Sequence, residues 1–124
     1  NILVVTSRED DEGFGFDART EQICLAGDDG QVDVAGVLDI LAERACNEVL
    51  VEAGAGVAGA FVSGGLVDEL WVYQSPDMLG AEGRGMFVMQ GIRSINDRVE
   101  FELKDIRRIG RDIRLIYAPA KEDS

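Results

Sequence analysis

One stretch, Glu48 to Tyr73 (EVLVEAGAGVAGAFVSGGLVDELWVY), constrains the fold of this chain more than any other. The apolar run Val49-Leu50-Val51 predicts a buried strand that ends on a charge, Glu52. Ala53-Gly54-Ala55-Gly56 makes a glycine-rich turn, and the small residues from about Val57 to Ser63 predict a short helix. Gly64-Gly65 breaks that helix before a second apolar strand, Leu70-Trp71-Val72-Tyr73. A strand that opens through glycines into a helix aims backbone N–H groups past the strand end. The positive end of the helix dipole favours an anion there, commonly a phosphate. This stretch is therefore the candidate binding site.

The 124 residues allow one domain at most, with a single core. The balance of 46 % hydrophobic and 29 % charged residues is that of an ordinary globular chain. Twelve Lys+Arg against 24 Asp+Glu give a formal charge of -12, which repels a phosphate backbone and makes nucleic acid an unexpected partner. No apolar run approaches the roughly 20 residues of a membrane span, so no membrane association is expected, and no signal peptide is visible. There is no histidine, and Cys24 and Cys46 lack metal-ligand spacing, so no metal site is expected. The two cysteines read as reduced, buried thiols of a cytoplasmic protein. The chain starts at Asn1 and goes straight into a strand, as a piece of a longer protein would.

Ile2 to Thr6 (ILVVT) is a continuous β-branched run, the pattern of a strand covered on both faces. At its carboxyl end, Thr6, Ser7 and Arg8 set two hydroxyls beside a cation, a combination that suits a phosphate; a strand terminating in ordinary polar residues would look the same. Glu9 to Thr20 reads as a long acidic loop anchored by Phe14 and Phe16, Glu21 to Ala26 as a short strand, and Gly27 to Gly30 as a turn. Asp33 is placed to cap a helix running to about Cys46, with Val34, Val37, Leu38, Leu41 and Ala45 forming one apolar stripe and Asn47 as a left-handed stop. After Tyr73 an irregular connection leads to Met86–Met89, a short strand or turn. Val99 to Ile109 alternates, with Val99, Phe101, Leu103 and Asp105 on one face. Gly110-Arg111-Asp112 turns the chain back into Ile113 to Tyr117, closing an antiparallel hairpin ahead of a polar tail. The order fits an α/β sheet, mostly parallel with an antiparallel edge.

Gly54-Ala55-Gly56-Val57-Ala58-Gly59 reads as G-x-G-x-x-G, the dinucleotide fingerprint. The helix it opens is short, a βα unit already precedes it, and the following strand does not end on an acid that would hold a ribose. Glu52, a charge ending an apolar strand beside this turn, is placed to hydrogen-bond a ligand; a solvated strand end or an arginine salt bridge is the alternative. Asp68-Glu69 reads as structural.

Val51-Glu52-Ala53-Gly54, then Val57-Ala58-Gly59-Ala60-Phe61, then Gly65-Leu66-Val67-Asp68-Glu69-Leu70 resemble the C-terminal reductase domain of the bifunctional riboflavin-biosynthesis deaminase/reductase, the RibD family. That family carries V-E-(G/A)-G-x-x-L-A-G-A-(F/L) followed by G-L-V-D-E-L. Leu79-Gly80, Arg84-Gly85 and Ile109-Gly110-Arg111-Asp112 extend the likeness, which runs from about Asp33 to Tyr117. The family's fold is similar to that of dihydrofolate reductase.

The resemblance implies NADPH-dependent reduction of 5-amino-6-(5-phosphoribosylamino)uracil, a phosphoribosyl-pyrimidine, with hydride passing to the sugar C1′. By carry-over, Gly54, Ala55, Gly56 and Val57 would hold the NADPH pyrophosphate through backbone N–H groups. Thr6, Ser7 and Arg8 would hold the adenosine 2′-phosphate, and Glu52 would be the catalytic-site residue, touching substrate or the nicotinamide ribose. No general acid is implied. Relative to the family pattern, two inner strands, a basic substrate-binding segment and the zinc-bearing deaminase domain are absent, so residues 1–124 read as a single partial domain, N-terminally truncated and by itself inactive. Open sheet edges favour self-association, and a homodimer is expected. The alternatives are a Rossmann-type dinucleotide-binding module and a non-catalytic assembly domain whose glycines only permit close packing.

Overall fold

The computed structural model describes residues 2–8 and 18–120. The chain forms two compact units, Asn1–Leu50 and Val51–Ser124. The expected loop over Glu9 to Thr20, with Phe14 and Phe16, lies mostly outside the described residues.

In the first unit, β1 (Ile2–Thr6) and β2 (Thr20–Cys24) pair in parallel, from Ile2 opposite Thr20 to Thr6 opposite Cys24. Beyond β2, Ala26 bridges Val32 across the expected turn, where Gly30 takes a φ of 74° that glycine adopts freely. Helix α1 (Val34–Glu43) follows, capped as expected: the Asp33 carboxylate accepts from the Ala35 and Gly36 amides, both at 3.1 Å. Its end differs from expectation. The helix stops at Glu43 rather than Cys46, and the left-handed residue is Ala45 (φ 62°), not Asn47. The Cys46 amide donates to the Leu41 carbonyl (3.0 Å) and the Ala45 amide to that of Ala42 (2.9 Å), the paired bonds of a Schellman stop. Arg44, the C-cap residue, forks onto Glu21 of β2 at 2.8 and 2.6 Å and ties the stop to the strand. Cys24 and Cys46 are free thiols, but both are exposed rather than buried, because one ends a strand and the other follows the helix stop.

The strand expected over Val49–Val51 and Glu52 does not form. Residues 46–54 have no regular structure, and Leu50 is 84 % exposed. An apolar run becomes a strand only when a neighbour takes its N–H and C=O groups, and no ladder partner lies beside this one among the described residues.

The second unit holds α2 (Ala55–Ser63), which starts two residues before Val57, and the strands β3 (Leu70–Gln74), β4 (Phe101–Ile109) and β5 (Asp112–Pro119). α2 also ends in a Schellman stop, with Gly65 (φ 64°) in the left-handed position and the Leu66 amide donating to the Phe61 carbonyl at 3.0 Å. Phe61 and Val62 of this helix, 8 % and 5 % exposed, are the buried apolar residues of the described chain. The strands form an antiparallel sheet in the order β3-β5-β4. Thus the α/β class and the closing antiparallel hairpin are as expected, while the strands divide into a parallel pair and a separate antiparallel sheet. The hairpin turns on Gly110-Arg111, with Gly110 at φ 62°.

A β-bulge corrects the expected alternation in β4. Leu103 faces Tyr117 and Asp105 faces Ile116, so Lys104 is the extra residue and Leu103 and Asp105 point to opposite faces. The bulge brings Asp105 to the face of Arg114, which it meets at 2.8 Å. Arg114 also lies over the Trp71 ring, 5.0 Å from its centroid. This ion pair offsets the like charge of Arg107, directly opposite Arg114.

Candidate functional site

The start of α2 leaves its first-turn amides without a side-chain acceptor. Gly54, its N-cap, has φ −73° and ψ 171° and offers no side-chain cap, and no acid stands in the first turn. The Ala58 amide donates to the Gly54 carbonyl at 3.0 Å. That leaves the Ala55, Gly56 and Val57 amides ahead of the first helical bond, with no acceptor in the helix. A Cβ built on Gly54 or Gly56 would meet nothing within 4 Å, so the space before these amides is open. Helix dipole, free donors and open approach act together at one point. These residues fit a dinucleotide pyrophosphate.

Behind the helix, the irregular Met86–Met89 stretch supplies a backbone support. The Val88 amide donates to the Ala55 carbonyl at 2.9 Å, and Gly59, one turn on, is buried against the same peptide. Sequence reading missed this support. Its signal was the third glycine of the fingerprint, whose lack of a side chain allows a helix to lie close to its neighbour.

Glu52, two residues before the N-cap, is exposed and has no ion-pair partner among the described residues. It stands in the irregular segment rather than at a strand end, and the arginine salt bridge weighed for it is not formed. Asp68 is exposed, and Glu69 accepts from the Trp71 indole N–H, in keeping with structural roles.

Thr6, Ser7 and Arg8 lie in the first unit, where β1 ends. The Leu25 amide donates to the Thr6 carbonyl at 2.7 Å, and the Thr6 hydroxyl donates to the Arg8 carbonyl at 3.0 Å. The hydroxyl proton is thus used in shaping the turn, and its oxygen keeps acceptor capacity only. Ser7 is half-buried and Arg8 is exposed. The Thr6–Arg8 and Glu52–Val57 groups therefore belong to different units.

Among the described residues, no group of three or more His, Cys, Asp or Glu is arranged to hold a metal ion, and no helix is long and apolar enough to cross a membrane. The Rossmann alternative needs a parallel strand after the glycine helix. β3 instead pairs antiparallel with β5 and ends on Gln74, so that alternative is not met.

Residues 1–115 match the family described as the RibD C-terminal domain. The chain is 38 % identical over 86 residues to the riboflavin biosynthesis protein RibD of Escherichia coli, covering 69 % of this chain and 23 % of that protein. It is 32 % identical over 102 residues to the 5-amino-6-(5-phosphoribosylamino)uracil reductase of Buchnera aphidicola, covering 82 % of this chain and 49 % of the relative. Among solved structures it is similar to Acinetobacter baumannii RibD, with a TM-score of 0.71 and 29 % identity over 82 % of this chain and 27 % of that one. The chain thus spans about half or less of the length of these relatives.

Proposed function

The chain belongs to the RibD C-terminal domain family, and on that footing we propose that it is part of an NADPH-dependent 5-amino-6-(5-phosphoribosylamino)uracil reductase. The observation that carries this reading is the uncapped, acid-free start of α2, open to an anion in a family with a named reductase. Bound there, NADPH supplies the hydride that turns the substrate's ribosyl group into a ribityl chain.

The residues of this chain bind and orient. The Ala55, Gly56 and Val57 amides, with Gly54 leaving room before them, donate to the cofactor pyrophosphate. Ser7 and Arg8 donate to the adenosine 2′-phosphate, and Thr6 shapes the turn that presents them. Glu52 accepts hydrogen bonds from hydroxyls of the substrate or of the nicotinamide ribose. On a chain of formal charge -12 such local positive potential is needed before a polyanionic cofactor can bind. The proposal extends to a deaminase domain in the full-length protein, a homodimeric state and a cytoplasmic location.

The test is substrate-dependent oxidation of NADPH by the full-length protein, with NADH alongside. The expected result is turnover that prefers NADPH, a Ser7→Ala loss confined to NADPH, and a fall in turnover in Glu52→Gln with cofactor binding retained. Unchanged turnover in Glu52→Gln would make Glu52 structural and favour the assembly-domain reading.

A further inference from the structure

We propose that Gly59 is a positioning residue for cofactor binding, acting through the Val88 backbone to hold the first turn of α2 in place. The inference rests on the reductase reading above and deepens it. With no side-chain cap, no side chain tethers the opening turn of the helix. The Val88 peptide holds it from outside, at two points one turn apart on the same helix face. Its N–H donates to the Ala55 carbonyl at 2.9 Å. Its carbonyl lies where a Cβ on Gly59 would come within 2.1 Å, with the Val88 carbonyl carbon at 2.9 Å and nitrogen at 3.0 Å.

These atoms are backbone, so no side-chain rotation relieves such an overlap. Val88 as a residue is 63 % exposed, and the atoms that meet Gly59 are those of its peptide. Any side chain at position 59 must push α2 and the Met86–Met89 stretch apart. Because a helical turn moves as a rigid body, the Ala55, Gly56 and Val57 amides move with it. Hydrogen bonds to a fixed pyrophosphate lose strength steeply with such displacement.

The experiment uses the full-length protein and two probes, NADPH and adenosine 2′-monophosphate, which lacks the pyrophosphate. Wild-type protein is titrated with NADPH first; absence of binding there overturns the reductase reading itself. In Gly59→Ala, NADPH is expected to bind roughly tenfold more weakly, the affinity equivalent of a modest overpacking penalty, with adenosine 2′-monophosphate affinity unchanged. Equal NADPH affinity in variant and wild type overturns the inference, and so does an equal loss for both probes, which marks general damage. Should the variant not fold, amide exchange of the wild type decides. Slower exchange of the Val88 amide on adding NADPH supports the coupling, and unchanged exchange overturns it.

Discussion

α1 begins at Asp33, whose carboxylate occupies the Ala35 and Gly36 amides, whereas α2 begins at Gly54 and leaves its first-turn amides without any side-chain acceptor. The two helices have similar lengths, ten and nine residues, and close with the same Schellman bonding. They differ in what is done with the donors at the start. A helix that satisfies its own N-terminus has no amides left for an external anion. One that leaves it open needs water or a ligand there. The comparison separates a helix that closes its own start from one that leaves its start open.

The comparison breaks most sharply if α2 is made to resemble α1. Gly54→Asp introduces a carboxylate cap at a φ that any residue adopts, into space where the new Cβ meets nothing. The helix should gain a few tenths of a kcal/mol, while NADPH affinity in the full-length protein should fall about a hundredfold through like-charge repulsion and loss of the free amides. Wild-type affinity in this variant would show that the α2 opening is not used. The converse change, Asp33→Ala, should cost about 1 kcal/mol in urea unfolding and leave NADPH affinity unaltered.

The helix ends sharpen the contrast at smaller scale. Ala45 carries a Cβ in the left-handed position that Gly65 fills in α2. Ala45→Gly should therefore stabilise by about 1 kcal/mol, and Gly65→Ala should cost a similar amount. Equal and opposite shifts in urea midpoint would confirm that the two stops are equivalent.

The smallest expected effect is in pH. The forked hydrogen bond from Arg44, aided by its charge, holds the Glu21 carboxyl below the ordinary glutamate value. A carboxyl depressed in the folded state adds stability that is present above the unfolded value and lost as pH falls through the folded one. Thermal melts of wild type and Glu21→Gln should differ at neutral pH and converge on acidification below about pH 4. A gap that persists in acid would assign the interaction to packing.

What could be read in advance follows from how local each cause is. β1, the Asp33 cap and the Gly110 hairpin are set by neighbouring residues, and the sequence showed them. The glycines that open α2 were equally local, so the anion-facing end of the candidate site was legible. Val49–Val51 carried a strand pattern, yet a strand needs a partner that no local pattern supplies. The bulge at Lys104 accompanies Arg114 meeting Asp105 across the ladder, and the Ala45 stop accompanies Arg44 reaching Glu21, contacts between residues apart in sequence. The Gly59–Val88 contact joins residues distant in sequence and was hidden for the same reason. The roles proposed for Thr6, Ser7, Arg8 and Glu52 follow from family resemblance, which no local pattern supplies.

The most direct test follows the backbone amide signals of the full-length protein during an NADPH titration. Ala55, Gly56 and Val57 should show the largest saturable shifts, with Ala35 and Gly36, already engaged by Asp33, silent. Saturable NADPH binding that leaves the three α2 amides unmoved would contradict the account.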